Sequence, residues 1–255
     1  MKICIEPLKK EDAHLIPKLI ESGMNKDIFS LTIFSSKGYE AYIKNLLTIP
    51  EKNRRVKFYG AFIDDHLAGY TEWRIFEETL FLNNIYVFPE YQGFGIGRSL
   101  LVQHGFKLLD EYGKSKMSLD VFDHNGEAMS WYEKIGFVRN ESTYWYVGEQ
   151  PTLARSNFTY ECYIENYPNA EAEQKEYDFS MFTCSTRNGV YQIGKINNQF
   201  YRLTNPKSFN DHDLLHCLYQ LDPKRKLLLL TREVFSKHFT FTLACISNRM
   251  NVEIN

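Results

Sequence analysis

The chain has 255 residues, 44% of them hydrophobic and 24% charged, with a formal net charge of −2 at neutral pH. That is the composition of a globular protein able to bury a sizeable core, long enough for one large or two modest domains. It gives no electrostatic case for nucleic acid as the main partner, and the longest aliphatic run, Leu227 to Leu230, is far too short to span a bilayer. No basic and then apolar segment opens the chain, so no secretory leader is expected. The five cysteines (Cys4, Cys162, Cys184, Cys217, Cys245) are scattered and odd in number, without C-x-x-C spacing. They predict neither a zinc ribbon nor a disulfide framework, but reduced thiols in a cytoplasmic setting.

In chain order, residues 2 to 6 alternate as a first strand. Glu11 to Gly23 carries Leu15, Ile16, Leu19 and Ile20 at helical spacing, and Gly38 to Leu47 predicts a second helix that Pro50 closes. Lys57 to Ile63, the turn Asp64-Asp65-His66, and Leu67 to Phe76 form a predicted hairpin. Leu80 to Phe88 is a strand stopped by Pro89. A loop punctuated by Gly93, Gly95 and Gly97 follows, and a helix runs from Arg98 to Leu109. Lys116 to Phe122 is a strand, Asn125 to Ile135 a helix with Gly136 as its C-cap, and Phe137 to Val147 a strand.

Strand, glycine loop and helix N-terminus together make a phosphate site. The first helical N–H groups have no intrahelical partner, and glycine lets a ligand approach the backbone closely. The spacing excludes the two commonest nucleotide loops. G-x-G-x-x-G fails at Leu100 from Gly95 and at Arg98 from Gly93, while a Walker loop fails because Arg98-Ser99 follows Gly97 and position 92 is glutamine.

The spacing Gln92-x-x-Gly95-x-Gly97 resembles motif A of the GNAT family, the GCN5-related N-acetyltransferases that use acetyl-coenzyme A. Asn125, Ala128, Tyr132, Gly136 and Phe137 resemble that family's second signature, N-x-x-A-x-x-x-Y-x-x-x-G-F. The resemblance covers the first three-fifths of the chain. It implies an α+β fold with a mixed, mostly antiparallel sheet between helices over residues 1–150. It also implies transfer of an acetyl group to a primary amine by direct attack. The implied coenzyme contacts are Tyr86, Val87, Gln92, Gly93, Phe94, Gly95, Ile96, Gly97, Arg98, Ser99 and Asn125, with the strand around Tyr86 splayed from the one around Leu119.

Tyr132 matches the family's usual general acid, against its reading as a core tyrosine beside Trp131. Asn125 reads as a pantetheine contact and as a helix N-cap, which are compatible. No motif fixes the general base. Glu72 is the first candidate, directly or through water, and an amine that sheds its proton before binding needs none. Asn83 and Asn84 occupy a stretch where some relatives carry a catalytic acid, and they cannot act as bases.

Residues 151–255 predict a smaller α+β domain. Its strands are Phe158 to Ile164, Tyr177 to Cys184, Val190 to Ile196, Gln199 to Leu203, Leu227 to Thr231, Phe239 to Ile246 and Met250 to Ile254. A helix spans Asp211 to Leu221, Gly148 to Thr152 reads as a linker, and Asn166 to Gln174 as a polar loop. Without a Q-x-x-G-x-G loop it is expected not to bind coenzyme A, and a degenerate second GNAT-like unit is the expectation. His212-Asp-Leu-Leu-His216 resembles H-E-x-x-H but reads as a packing helix, so no metal is expected. The expected partners are acetyl-coenzyme A and an amine, a small molecule in preference to a protein. No nucleic acid or membrane is expected, and a homodimer is left open. The rival function is a non-catalytic sensor of acyl-coenzyme A, or a dimerisation module, on the same fold.

Overall fold

A computed structural model describes residues 2–151, 160–234 and 241–253. The elements are β1 (Cys4–Pro7), α1 (Ile16–Gly23), α2 (Lys26–Ser30), α3 (Tyr39–Thr48), β2 (Val56–Ile63), β3 (His66–Ile75) and β4 (Thr79–Val87). There follow α4 (Ile96–Arg98), a wider π-helical stretch Ser99–Gly105, α5 (Phe106–Glu111), β5 (Lys116–Phe122), α6 (Gly126–Ile135) and β6 (Val138–Gly148). The later part holds β7 (Cys162–Glu165), α7 (Tyr167–Tyr177), β8 (Phe179–Thr186), β9 (Gly189–Ile196), β10 (Phe200–Leu203), α8 (His212–Leu221), β11 (Lys226–Thr231) and β12 (Phe241–Glu253).

The chain forms two compact units, and they are interleaved in sequence. Unit 1 is Met1–Lys26, Glu40–Glu141 and Asn248–Asn255; unit 2 is Asp27–Tyr39 and Ser142–Ser247. The single division expected between 150 and 151 therefore gives way to several crossings. The physical reason lies in strand pairing. In unit 1 the order is β1-β2-β3-β4-β5 followed by the end of β12, and in unit 2 it is β7-β8-β9-β10-β11-β6. Each unit contains a parallel step, β4 with β5 and β10 with β11, and each is closed by a strand from the far side of the expected cut. The end of β12 is held in unit 1 by Met250 in the core and by Ser118 Oγ donating to Asn251 Oδ1 at 2.7 Å.

Unit 1 follows from its sequence pattern. Asp64 and Asp65 both have positive φ (48° and 63°), the left-handed pair whose twist matches a β2–β3 hairpin. Trp73, Leu80, Leu82, Leu101, Leu108, Leu109, Met117 and Leu119 form the core between the sheet and the helix after β4. Gly105 allows that packing, since a Cβ there would stand 2.8 Å from the Trp73 ring. His104, one residue earlier, is half-buried against the Tyr59 ring at 4.2 Å, and its Nδ1 has no hydrogen-bond partner among the described residues. Burial, then the charge of Lys107, pushes it down to about 4 from an ordinary 6.5. The unfolded chain thus binds a proton that the fold refuses, and stability is lost as pH falls from ~6.5 through about 4. The expected loss is about 1–2 kcal/mol, allowing for partial exposure. Urea midpoints across this window should decline for the native protein and decline less for His104→Gln.

Unit 2 corrects two sequence expectations. Asn166 to Gln174 is not a loop: Asn166 takes a left-handed φ of 61° and Pro168 sits in the first turn of α7. Only Ala170 of that helix is buried, so no apolar period betrays it. The expected linker is also tied down at its described end. Gln150 is buried, and its Nε2 donates to the carbonyls of Asp222 (2.7 Å) and Arg225 (2.8 Å). Residues 27–39 complete the unit, with Leu31 packed on Ile196, Phe200 and Leu228 and Ser36 Oγ donating to Asn197 Oδ1 at 2.6 Å. The two predicted final strands are one, β12, while the expected strand residues 158–159, 239–240 and 254 lie outside the described residues.

Candidate active site

β4 is paired with β3 along its length but with β5 only from Thr79 to Leu82, opposite Lys116 to Leu119. The break has a local cause. Glu72 pairs with Asn84 and Trp73 with Leu82, so Asn83 is an extra residue in β4, a bulge that re-aims the strand. It also shifts the alternation: Leu80 and Leu82 face the Trp73 core before it, and Ile85 faces the same core after it. Beyond the bulge the edge of β4 carrying Tyr86 and Val87 has no ladder to β5, as expected of a splayed pair.

The glycine loop continues from that open end. Gln92 Nε2 donates to the Val87 carbonyl at 3.1 Å, which ties the loop back to its strand. Gly93 and Gly95 take φ of 81° and 80°, left-handed values that favour glycine, and the space where a Cβ would stand is open at both. Gly95 is the N-cap of α4 and offers no capping side chain. The first helical bond runs from Ser99 N to the Gly95 carbonyl at 2.9 Å, so the amides of Ile96, Gly97 and Arg98 precede it. Three open donors at the positive end of a helix make an anion site.

Not every expected contact survives this geometry. Ile96 is buried with Ala61, Ile63, Ala68 and Leu100, so only its main chain is available. Ser99 is buried and its amide is already bonded, which removes it from the open set. Gln92, Phe94 and Arg98 are exposed beside the loop, and a Cβ added at Gly97 would meet the Trp131 ring at an ordinary 3.6 Å. Asn125 caps α6, its Oδ1 accepting from Ala128 N at 3.1 Å.

Tyr132 is buried on α6, with its ring centroid 5.1 Å from Trp131 and 5.9 Å from Phe137. Burial raises its phenol well above the ordinary tyrosine range. Tyr86 is raised too, by burial first and then by Tyr132, so the structure brings the two phenols within electrostatic reach. Glu72 is buried, with Arg74 Nε and Nη2 on Oε1 (3.1 Å each) and Asn84 Nδ2 on Oε2 at 2.8 Å. Both carboxylate oxygens are held, so Glu72 is a fixed group rather than a free one.

Unit 2 shows what happens when such a helix start carries no glycine loop. The N-cap of α8 is Asp211, whose Oδ1 accepts from Asp213 N (3.1 Å) and Leu214 N (3.2 Å). A built-in carboxylate sits where unit 1 leaves amides open. Asp211 Oδ2 also accepts from Thr186 Oγ1 at 2.6 Å. Asp211→Ala should destabilise the protein by about 1–2 kcal/mol, read from urea unfolding.

Sequence reasoning missed one cluster altogether. Cys162, Cys184 and Cys217 bring their Sγ atoms within 4.8 Å of one another, and they are the one such group of three found among the described residues. His212 and His216 belong to no such group; Asp213 between them is paired with Arg187 at 2.6 Å. Wide sequence spacing concealed the trio, since β7, β8 and α8 meet only in the folded unit.

The model of the Acetyltransferase (GNAT) family matches residues 26–137. Spermidine N(1)-acetyltransferase of Thermoplasma acidophilum is 30% identical over 144 residues, which cover 54% of this chain and 89% of that enzyme. The chain belongs to the GNAT acetyltransferase family. Thialysine N-epsilon-acetyltransferase of Bos taurus is 31% identical over 121 residues, 47% of this chain and 65% of that enzyme, so the match spans just under two thirds of it. A tandem GNAT protein from the clavulanic acid biosynthesis pathway has a TM-score of 0.66 at 12% identity, covering 99% of this chain and 98% of that one. At that identity the likeness is one of fold, and it extends the GNAT architecture beyond residue 137 into unit 2. GNAT acetyltransferases move an acetyl group from acetyl-coenzyme A to an amine, and no helix among the described residues of this GNAT chain is long and apolar enough to cross a membrane.

Proposed function

We propose that unit 1 transfers acetyl from acetyl-coenzyme A to the primary amine of a small molecule, by direct attack of the amine on the thioester. The observation that carries this reading is the uncapped helix start at Ile96, Gly97 and Arg98, set beside the unpaired end of β4. The pyrophosphate binds those amides, and the pantetheine arm lies along the open β4 edge, where main-chain N–H groups polarise the acetyl carbonyl. Tyr132 donates a hydrogen bond to the departing sulfur. Its raised pKa keeps the phenol protonated but makes full proton release slow, so stabilisation of the nascent thiolate is its larger part. Glu72, held by Arg74 and Asn84, takes the ammonium's proton through a bridging water. The acceptor class rests on two of the matched enzymes, whose names specify spermidine and thialysine, both small amines.

The test is thiol release from acetyl-coenzyme A by the full chain, over panels of polyamines, amino acid derivatives and peptides. Turnover on a small amine is the expected result. Turnover confined to peptides would overturn the acceptor class. Tight coenzyme binding without turnover on any amine would favour the acyl-coenzyme A sensor instead.

A further inference from the structure

We propose that Cys162, Cys184 and Cys217 form a three-thiolate site in unit 2 for a thiophilic closed-shell cation, zinc(II) or copper(I). Donors from two strands and a helix converge there, with all three Sγ atoms within 4.8 Å of one another. A zinc–sulfur bond of about 2.3 Å places two thiolates of a tetrahedral site ~3.8 Å apart, so the trio needs contraction by no more than about an ångström. Soft sulfur donors without a carboxylate among them select zinc(II) or copper(I) over magnesium or calcium.

The environment suits an ion. Cys184 is fully buried beside Leu214, Leu215 and Leu218, whereas Cys162 and Cys217 are half-buried, which leaves an entry path.

The register argues against a disulfide between Cys162 and Cys184. Cys162 pairs with Thr186, and Cys184 with Ile164, so the two cysteines are diagonal neighbours offset by two residues. Diagonal positions stand roughly 7–8 Å apart, beyond the ordinary reach of a disulfide. A shared ion spans such a gap, since it adds two metal–sulfur bonds in place of one S–S bond. Binding forms three metal–sulfur bonds and releases to solvent the protons of those thiols still protonated; no electron is transferred. The ion would staple the four-residue edge strand β7 and helix α8 to β8, a stabilising role remote in sequence from the glycine loop.

The test uses the full chain, reduced with a non-thiol reductant, stripped of metal, and titrated anaerobically with zinc(II) alone and copper(I) alone. Readouts are metal per chain, proton release and Tm. The expected result is stoichiometric uptake of one of the two ions, with proton release and a Tm rise of at least ~5 °C. Cys162→Ser and Cys217→Ser should each weaken that binding at least ~100-fold, while Cys245→Ser leaves it unchanged. If the buried Cys184→Ser variant fails to fold, the two half-buried variants still decide the matter. Absence of stoichiometric uptake, unchanged affinity in Cys217→Ser, or a disulfide within the trio in protein purified without reductant would overturn the proposal.

Discussion

Gly95→Val should raise the dissociation constant for coenzyme A at least ~100-fold while the protein stays folded. The residue sits at φ 80°, where a β-branched side chain is strained by about 1–3 kcal/mol, and nothing of the protein stands within 4 Å of the added Cβ. The variant therefore meets the ligand rather than its own core. Gly113→Val supplies the matched control, because Gly113 also has positive φ (59°) and open space, but lies past α5. The two variants should lose similar Tm in thermal unfolding, and only Gly95→Val should lose coenzyme in calorimetric titration. Equal loss of affinity in both would mean that strain, and not the loop's contact with a phosphate, explains the effect.

Tyr132→Phe should lower kcat by about 10- to 100-fold, with the coenzyme dissociation constant changed by less than about threefold. The substitution removes one oxygen and keeps the ring contacts with Trp131 and Phe137. Because burial raises the phenol, it remains protonated throughout the neutral and mildly alkaline range. Turnover of the native protein should accordingly show no decline assignable to Tyr132 below pH ~10. A kcat unchanged in the phenylalanine variant would remove Tyr132 from the reaction and leave the leaving thiolate to solvent.

Local signals in the first unit were strong and consistent. β5 begins and ends at its sequence-predicted residues, the Asp64-Asp65 turn makes its hairpin, and Gly136 closes α6 in the left-handed conformation that a C-cap requires. Side-chain direction was harder to read. Ile96 and Ser99 sit inside the binding motif, yet they turn into the core, because helical phase fixes their direction whatever the motif implies. The bulge at Asn83 left a trace in the sequence, a change of phase between Leu80 and Leu82 on one side and Ile85 on the other. What no local pattern could give is the partner of a distant strand. The exchange of β6 and β12, the assignment of residues 27–39 to the second unit and the meeting of three cysteines all depend on long-range pairing. α7 escaped for the opposite reason: it is so polar that its helical period carries no hydrophobic signal.

The exchanged closing strands set an order on synthesis. Unit 1 contains the glycine loop and is translated almost entirely first, but its sheet lacks the strand beside β5 until residues 248–253 have been made. Through that interval β5 offers an unpaired row of backbone donors and acceptors, the kind of edge that invites pairing with a second nascent chain. β6 emerges early and finds its neighbour β11 only some eighty residues later. The half that carries the glycine loop is therefore the half whose closing strand is made last, and a ribosome stalled before residues 248–253 would hold a chain with that sheet still open on one side.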